Sequence, residues 1–166
     1  MSLSVIIASS GRSTLPRALE SASSQMLPGD ELLLSVNDNA PWGHAARNEM
    51  MARADGDALV FLDDDDIYLP GALDAVRDAL EREPARVHIF RMVYGDSSAA
   101  PGAYVWTAPE LVEGQVSTQT IVAPNWPDKL GSWGDRYAGD FDFARSTCDL
   151  AGEPAWHENV IAVYRP

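Results

Sequence analysis

The chain has 166 residues, 46% of them hydrophobic and 22% charged, which bounds it to one ordinary globular domain with a fair-sized core. Its net charge of -13 excludes a nucleic-acid backbone or an anionic membrane as a direct, metal-free partner, but not an anionic ligand carried by a cation. The single cysteine, Cys148, excludes an internal disulfide. With no run of ~20 apolar residues and no basic leader followed by a long apolar stretch, the expectation is a cytoplasmic protein without a transmembrane segment or signal peptide.

Leu3 to Ala8 is a short β-branched run ending at Ser9-Ser10-Gly11-Arg12, and predicts a buried strand followed by a polar turn. Thr14 is placed to cap a helix from about Leu15, with Pro16 in its first turn and Leu19, Ala22 and Met26 as its apolar stripe. Glu31 to Val36 predicts a second strand, ending in Asn37-Asp38-Asn39. Ala45 to Ala54 reads as a helix with Ala46, Met50 and Ala54 on one face and Gly56 as its stop.

Ala58 to Leu62 then runs straight into Asp63-Asp64-Asp65-Asp66. Five apolar residues are too few for an ordinary helix and fit a strand buried on both faces. The four carboxylates sit where that strand leaves the sheet, the edge at which open α/β sheets bind ligands. An acid run is otherwise a solvated loop or a helix N-terminal decoration. At the end of a buried strand it makes sense if a divalent cation holding a phosphate-rich ligand neutralises it.

Pro70 to Glu83 is the clearest helix, with Leu73, Val76 and Leu80 inward and Arg77 and Glu81 paired on the outside. Val87 to Tyr94 predicts a fourth strand. Strand and helix alternating over the first 95 residues is the pattern of a doubly wound α/β layer. Three successive strand ends carry polar residues, which points to a ligand site there. From Gly95 to Lys129 the chain is rich in Pro, Gly, Ser and Thr, with short extended pieces near Tyr104-Val105-Trp106 and Ser117 to Val122. A helix over Gly139 to Asp149 and a closing strand over Val160 to Tyr164 complete an irregular C-terminal wall. The five tryptophans (Trp42, Trp106, Trp126, Trp133, Trp156) lie mostly in Pro/Gly-rich segments, where they can line a cleft or form satellite core under loops.

Several of these pieces occur together: Ser4-Val5-Ile6-Ile7 with Arg12, the Glu31–Asp38 strand, Ala46-Arg47-Asn48 before Gly56-Asp57, and Phe61-Leu62-Asp63-Asp64-Asp65-Asp66 before Pro70-Gly71. In this order they resemble the nucleotide-sugar-dependent glycosyltransferases of the GT-A fold, the large inverting group typified by bacterial polysaccharide-synthesis enzymes. The resemblance covers residues 3 to 82. It implies an α/β, Rossmann-like, mostly parallel sheet flanked by helices, as a single GT-A domain over 1–166. Residues 1–95 would be the nucleotide-binding half and 96–166 the acceptor and catalytic-base half.

The resemblance also implies roles. Asp38 matches the acid that contacts the nucleotide base, and Ser9, Arg12 and Arg47 lie near the nucleotide and its phosphates. Asn48 would serve backbone groups in the loop. Asp63 and Asp65 match the two carboxylates of the Asp-x-Asp motif, the first toward the ribose and the second toward a divalent cation, Mn2+ or Mg2+, with Asp66 in support. His157 would be an additional metal ligand, ahead of His44 and His88. The catalytic base falls on Asp140, with Asp142 as runner-up; the family's Glu-Asp pair is here Gly139-Asp140. The donor implied is a nucleotide-diphosphate sugar, and the acceptor a hydroxyl of a glycan, a lipid-linked sugar or a small molecule; a homo-oligomer is allowed for. Two other readings stand beside this one. A sugar-phosphate nucleotidyltransferase would want a richer basic loop than Ser9 to Ser13, which has no lysine. A non-catalytic nucleotide- and metal-binding module is kept open by the departure at Gly139.

Overall fold

The structure, a computed structural model, describes residues 1–37, 41–95 and 110–165. Asp38, and the extended piece at Tyr104 to Trp106, lie outside these. The described strands are β1 (Leu3–Ser9), β2 (Glu31–Val36), β3 (Ala58–Asp63), β4 (Ile67–Tyr68), β5 (His88–Tyr94), β6 (Ile121–Pro124) and β7 (Ala155–Tyr164). They form one sheet in the order β2-β1-β3-β6-β5-β7-β4. The helices are α1 (Leu15–Ser23), α2 (His44–Met51), α3 (Ala72–Arg82) and α4 (Gly139–Ala151).

The largely apolar runs of β1 and β3 follow from burial on both faces. Val5, Ile7, Val60 and Leu62 pack with Ala18 and Ala22 of α1 and Leu73, Val76 and Leu80 of α3. Ile6, Leu59 and Phe61 point the other way, against Met50 and Met51 of α2 and Phe143 and Ala144 of α4. Period-two alternation thus divides one strand between two cores.

The half of the sheet made by β2, β1 and β3 is parallel, as expected for successive β–α–β units. The fourth strand is not next in line. β6 lies antiparallel between β3 and β5, and β5 pairs parallel with β7. The whole sheet is therefore more mixed than the sequence pattern suggests, because the C-terminal third contributes two strands to it. β7 is also longer than expected, starting at Ala155.

Local details differ for identifiable reasons. Thr14 occupies the N-cap of α1, but its hydroxyl makes no capping bond. Gly56 does not stop α2, which ends at Met51. It is a close-approach glycine: a Cβ there would stand 2.6 Å from the Ser4 backbone nitrogen. Arg77 is not on the outer face of α3 with Glu81. It turns inward to pair with the buried carboxylate of Asp30, which also accepts from the Leu3 and Leu27 amides at 2.9 and 2.7 Å. One ion pair so ties α3 to the turn that feeds β2.

Candidate active site

The acid run forms a tight turn, with the Asp66 amide donating to the Asp63 carbonyl at 3.2 Å. The two-residue β4, absent from the sequence reading, follows at once and pairs with β7. The Tyr68 hydroxyl donates to the Phe61 carbonyl at 2.7 Å and pins the turn against β3. Beside it a cleft of about 510 Å³ opens at the carboxyl ends of β1 and β3, lined by Ser9, Arg12, Arg47, Asp63, Asp65 and Asp140 among others.

The four aspartates have different environments. Asp63 pairs with the buried guanidinium of Arg47. Asp64 is buried and faces β1: Ser9 Oγ donates to it at 2.7 Å and the Ser10 amide at 3.0 Å, with Arg12 3.4 Å away. Asp65 pairs with Arg12 and, at 3.1 Å, with Arg165. Asp66 is buried; one oxygen accepts from the Arg165 amide at 2.9 Å and the other has no hydrogen-bond partner. Burial, reinforced by the charges of Asp63 and Asp65, pushes its carboxyl up to about 8.

Asp63, Asp65 and Asp66 each offer an oxygen, and these lie within 4.8 Å of one another. Three hard carboxylates converging on a turn, one with an orphaned buried oxygen, fit a hard divalent cation. Asp64 is the intervening residue of the Asp-x-Asp pair and points away from that group into the end of β1.

α2 delivers the second wall. Arg47 sends one arm to Asp63 and the other to the Trp42 carbonyl at 2.6 Å, and lies 4.9 Å over the Trp133 ring. Asn48 does serve the loop: its amide donates to the Trp133 carbonyl at 3.1 Å, and its oxygen accepts from the Trp133 amide at 3.0 Å. Trp133 itself is core, stacked on Phe143 at 4.8 Å. His44 lines the cleft, bonds the Gly134 carbonyl through Nδ1 at 2.7 Å, and stacks on Trp133. Burial and the Arg47 charge lower its pKa, and because a carbonyl only accepts, Nδ1 is the donor in that bond.

The first turn of α4 brings Asp140 to the cleft. Its Oδ1 accepts from the Phe141 amide at 2.7 Å. Burial, joined by the charge of Asp63 and opposed by that Phe141 bond and Arg47, pushes its carboxyl up to about 6. Gly139 beside it is fixed by packing: a Cβ there would collide with the His44 ring and stand 2.8 Å from the Gly134 carbonyl. The imidazole of His44 occupies the room that a side chain at 139 would need.

Two sequence-predicted residues are not brought to the cleft. Asp142 is held by Arg136 through both oxygens, at 2.8 and 2.5 Å. His157 stands apart from the acid group; its Nε2 lies 2.9 Å from His88 Nδ1, and its ring stacks on Phe90 at 4.5 Å. It sits near the start of β7, and the eight residues from there to Arg165 extend roughly 25 Å. The late residue that does reach the acid run is Arg165, at the far end of that strand. Sequence reasoning missed it and Tyr137, weighed His44 only as a lesser metal-ligand candidate, and took Trp42 only as one of five tryptophans able to line a cleft. For Trp42 a signal existed, an aromatic between Pro41 and Gly43 just after a strand end.

The sequence signature of Glycosyl transferase family 2 matches residues 36–128. The chain belongs to that glycosyltransferase family. Among solved structures it is similar to TarS of S. aureus, at 15% identity with a TM-score of 0.75, over 100% of this chain and 37% of that one. The 1-349 form of S. aureus TarS in complex with UDP-GlcNAc matches at 14% identity and a TM-score of 0.67, over 98% of this chain and 58% of that one. A197 from STIV matches at 13% identity and a TM-score of 0.56, over 96% of this chain and 82% of that one. These likenesses show the GT-A fold, and the chain spans well under two thirds of TarS. No curated protein matches by sequence. Among the described residues no helix is long and apolar enough to cross a membrane.

Proposed function

We propose that the chain transfers a sugar from a nucleotide-diphosphate sugar to an acceptor hydroxyl, with inversion, using Asp140 as the general base. The observation that carries this is one cleft holding both a convergent carboxylate group, Asp63, Asp65 and Asp66, and a separate half-buried carboxyl, Asp140, with a raised pKa. Residues 1–95 hold the donor. Asp65 and Asp66 hold a divalent cation, Asp63 lies toward the ribose, and Arg12 and Arg47 steady the phosphates, with Ser9 fixing the loop and Asp38 the base. When bound, such a cation acts as a Lewis acid toward the diphosphate leaving group. Residues 96–166 supply Asp140, which takes the proton of the attacking hydroxyl, while Asp142 holds the preceding loop through Arg136.

The complex of the TarS 1-349 form with UDP-GlcNAc makes uridine diphosphate the first nucleotide to try. Gly139, which keeps a non-catalytic module open, sits where the His44 ring leaves no room for a side chain, and so weighs less against catalysis. Calorimetry with uridine, guanosine, thymidine and adenosine diphosphates, each with and without Mn2+, tests the donor site. One diphosphate should bind in Mn2+. Its affinity should drop about tenfold or more without the metal or in Asp65→Asn. If none of the four binds under either condition, the donor site is wrong and the transferase reading goes with it.

A further inference from the structure

The mouth of the cleft carries two aromatic side chains that the fold does not need. Trp42 is 50% exposed and Tyr137 82% exposed. Both line the cleft, and their rings meet edge to face at 6.5 Å, with an interplanar angle of 79°. Trp42 also has a left-handed backbone, with φ of 57°, a conformation that bulky residues rarely adopt and that persists only where the surroundings enforce it. The enforcement is visible. Arg47 holds the Trp42 carbonyl at 2.6 Å, and Gly43 follows with φ of 70°, in a position where a Cβ would stand 2.6 Å from that of Ala8. Folding here strains the backbone to keep a large apolar ring half in water, and no core is gained in return.

The pair stands beside the proposed base. Tyr137 lies three residues before Asp140, and Trp42 lies 5.9 Å from the ring of His44, whose own ring packs against Gly139. Both rings line the same cleft as Asp140, so an acceptor whose hydroxyl reaches that carboxyl has this corner to rest on. A flat nucleobase held between the two rings would want them face to face, whereas they meet nearly at right angles. A pyranose has one face of C–H groups to lie on an aromatic ring and a rim of hydroxyls to present to a carboxylate.

We propose that Trp42 and Tyr137 form the acceptor subsite and that the acceptor is a sugar, its pyranose ring seated on this corner with one hydroxyl toward Asp140. The inference rests on the transferase reading above and narrows it to a glycan or glycoside acceptor.

The test is saturation-transfer NMR on the full chain with Mn2+ and the nucleoside diphosphate selected by calorimetry. The probes are methyl glucopyranoside, methyl N-acetylglucosaminide and methyl galactopyranoside, with glycerol as a polyol that has no apolar face. Saturation should pass to the ring C–H protons of at least one pyranoside and not to glycerol. It should weaken about tenfold in Trp42→Ala and Tyr137→Ala and be largely kept in Trp42→Phe. Diphosphate affinity, measured on the same samples, reads the donor site separately and should stay within about threefold of the parent. Unchanged transfer in Trp42→Ala, transfer to glycerol as strong as to the sugars, or no transfer to any pyranoside while the diphosphate binds would each overturn the subsite. A large loss of diphosphate affinity in Trp42→Ala would place the base on the indole instead. Failure of every diphosphate to bind the parent removes the donor reading, and the subsite falls with it.

Discussion

Asp140→Asn is expected to lower turnover about 10²- to 10⁴-fold while leaving nucleoside diphosphate affinity within about twofold. The substitution keeps the shape of the side chain and an oxygen that can still accept from the Phe141 amide, now at 2.7 Å. What it removes is the capacity to take a proton. The parent should show an acidic limb at about pH 6, because burial holds the Asp140 carboxyl at about 6 and only its ionised form is a base. Below that limb kcat/KM should fall about tenfold per pH unit.

The same shift makes a stability prediction of opposite sign. A carboxyl whose folded pKa of about 6 exceeds its ordinary 3.8 stabilises the fold while protonated. That contribution is present below about pH 4 and is lost as pH rises through about 6. At neutral pH the ionised group is a net cost, so Asp140→Asn should gain about 1–2 kcal/mol in thermal or denaturant unfolding. A carboxylate kept for structure would lose stability when neutralised. Release of the nucleoside diphosphate from its sugar, together with a melting curve, separates the two. Retained turnover in Asp140→Asn would sink the base assignment, and lost stability would mark Asp140 as structural.

The cleft wall at the ends of β1 and β3 was legible in the sequence because its signals are local. A five-residue apolar run ending in acids has one sensible placement in an α/β sheet, and Ser9, Arg12, Arg47 and Asp63 all line the cleft where that placement puts them. Asp140 was singled out through the resemblance alone; the first turn of α4 does bring it to the same cleft, while its raised pKa depends on burial that periodicity does not report. The failures share a physical cause. β6 entering between β3 and β5 is a long-range pairing, and no composition signal in a Pro/Gly-rich stretch specifies its neighbour. His157 was chosen for its chemistry, but a long β7 carries it away and delivers Arg165 to the acid run. Arg77 was assigned to solvent by helical spacing. Its partner, Asp30, lies 47 residues away in sequence, where no local rule connects them.

Gly139 is the clearest case of a residue whose meaning appears only in three dimensions. By motif it is a lost glutamate. By packing it is the one residue type that fits against His44. Gly139→Ala should therefore destabilise the fold by about 2–3 kcal/mol through overpacking, even though alanine is the better helix former by about 1 kcal/mol. His44→Ala alone should cost about 1–2 kcal/mol, for the space vacated and the hydrogen bond lost at the Gly134 carbonyl. Combining them should cost less than the sum. The added methyl enters space that the imidazole has left, although its approach to the Gly134 carbonyl at 2.8 Å keeps the recovery partial. Denaturant unfolding of the parent, the two single variants and the double variant gives the coupling directly. An interaction of at least ~1 kcal/mol in the favourable direction identifies His44 as the occupant of the missing side chain's volume. Strict additivity would mean that Gly139 is required by the Gly134 carbonyl alone, leaving the departure from the Glu-Asp pair unexplained by His44 and restoring weight to the binding-module reading.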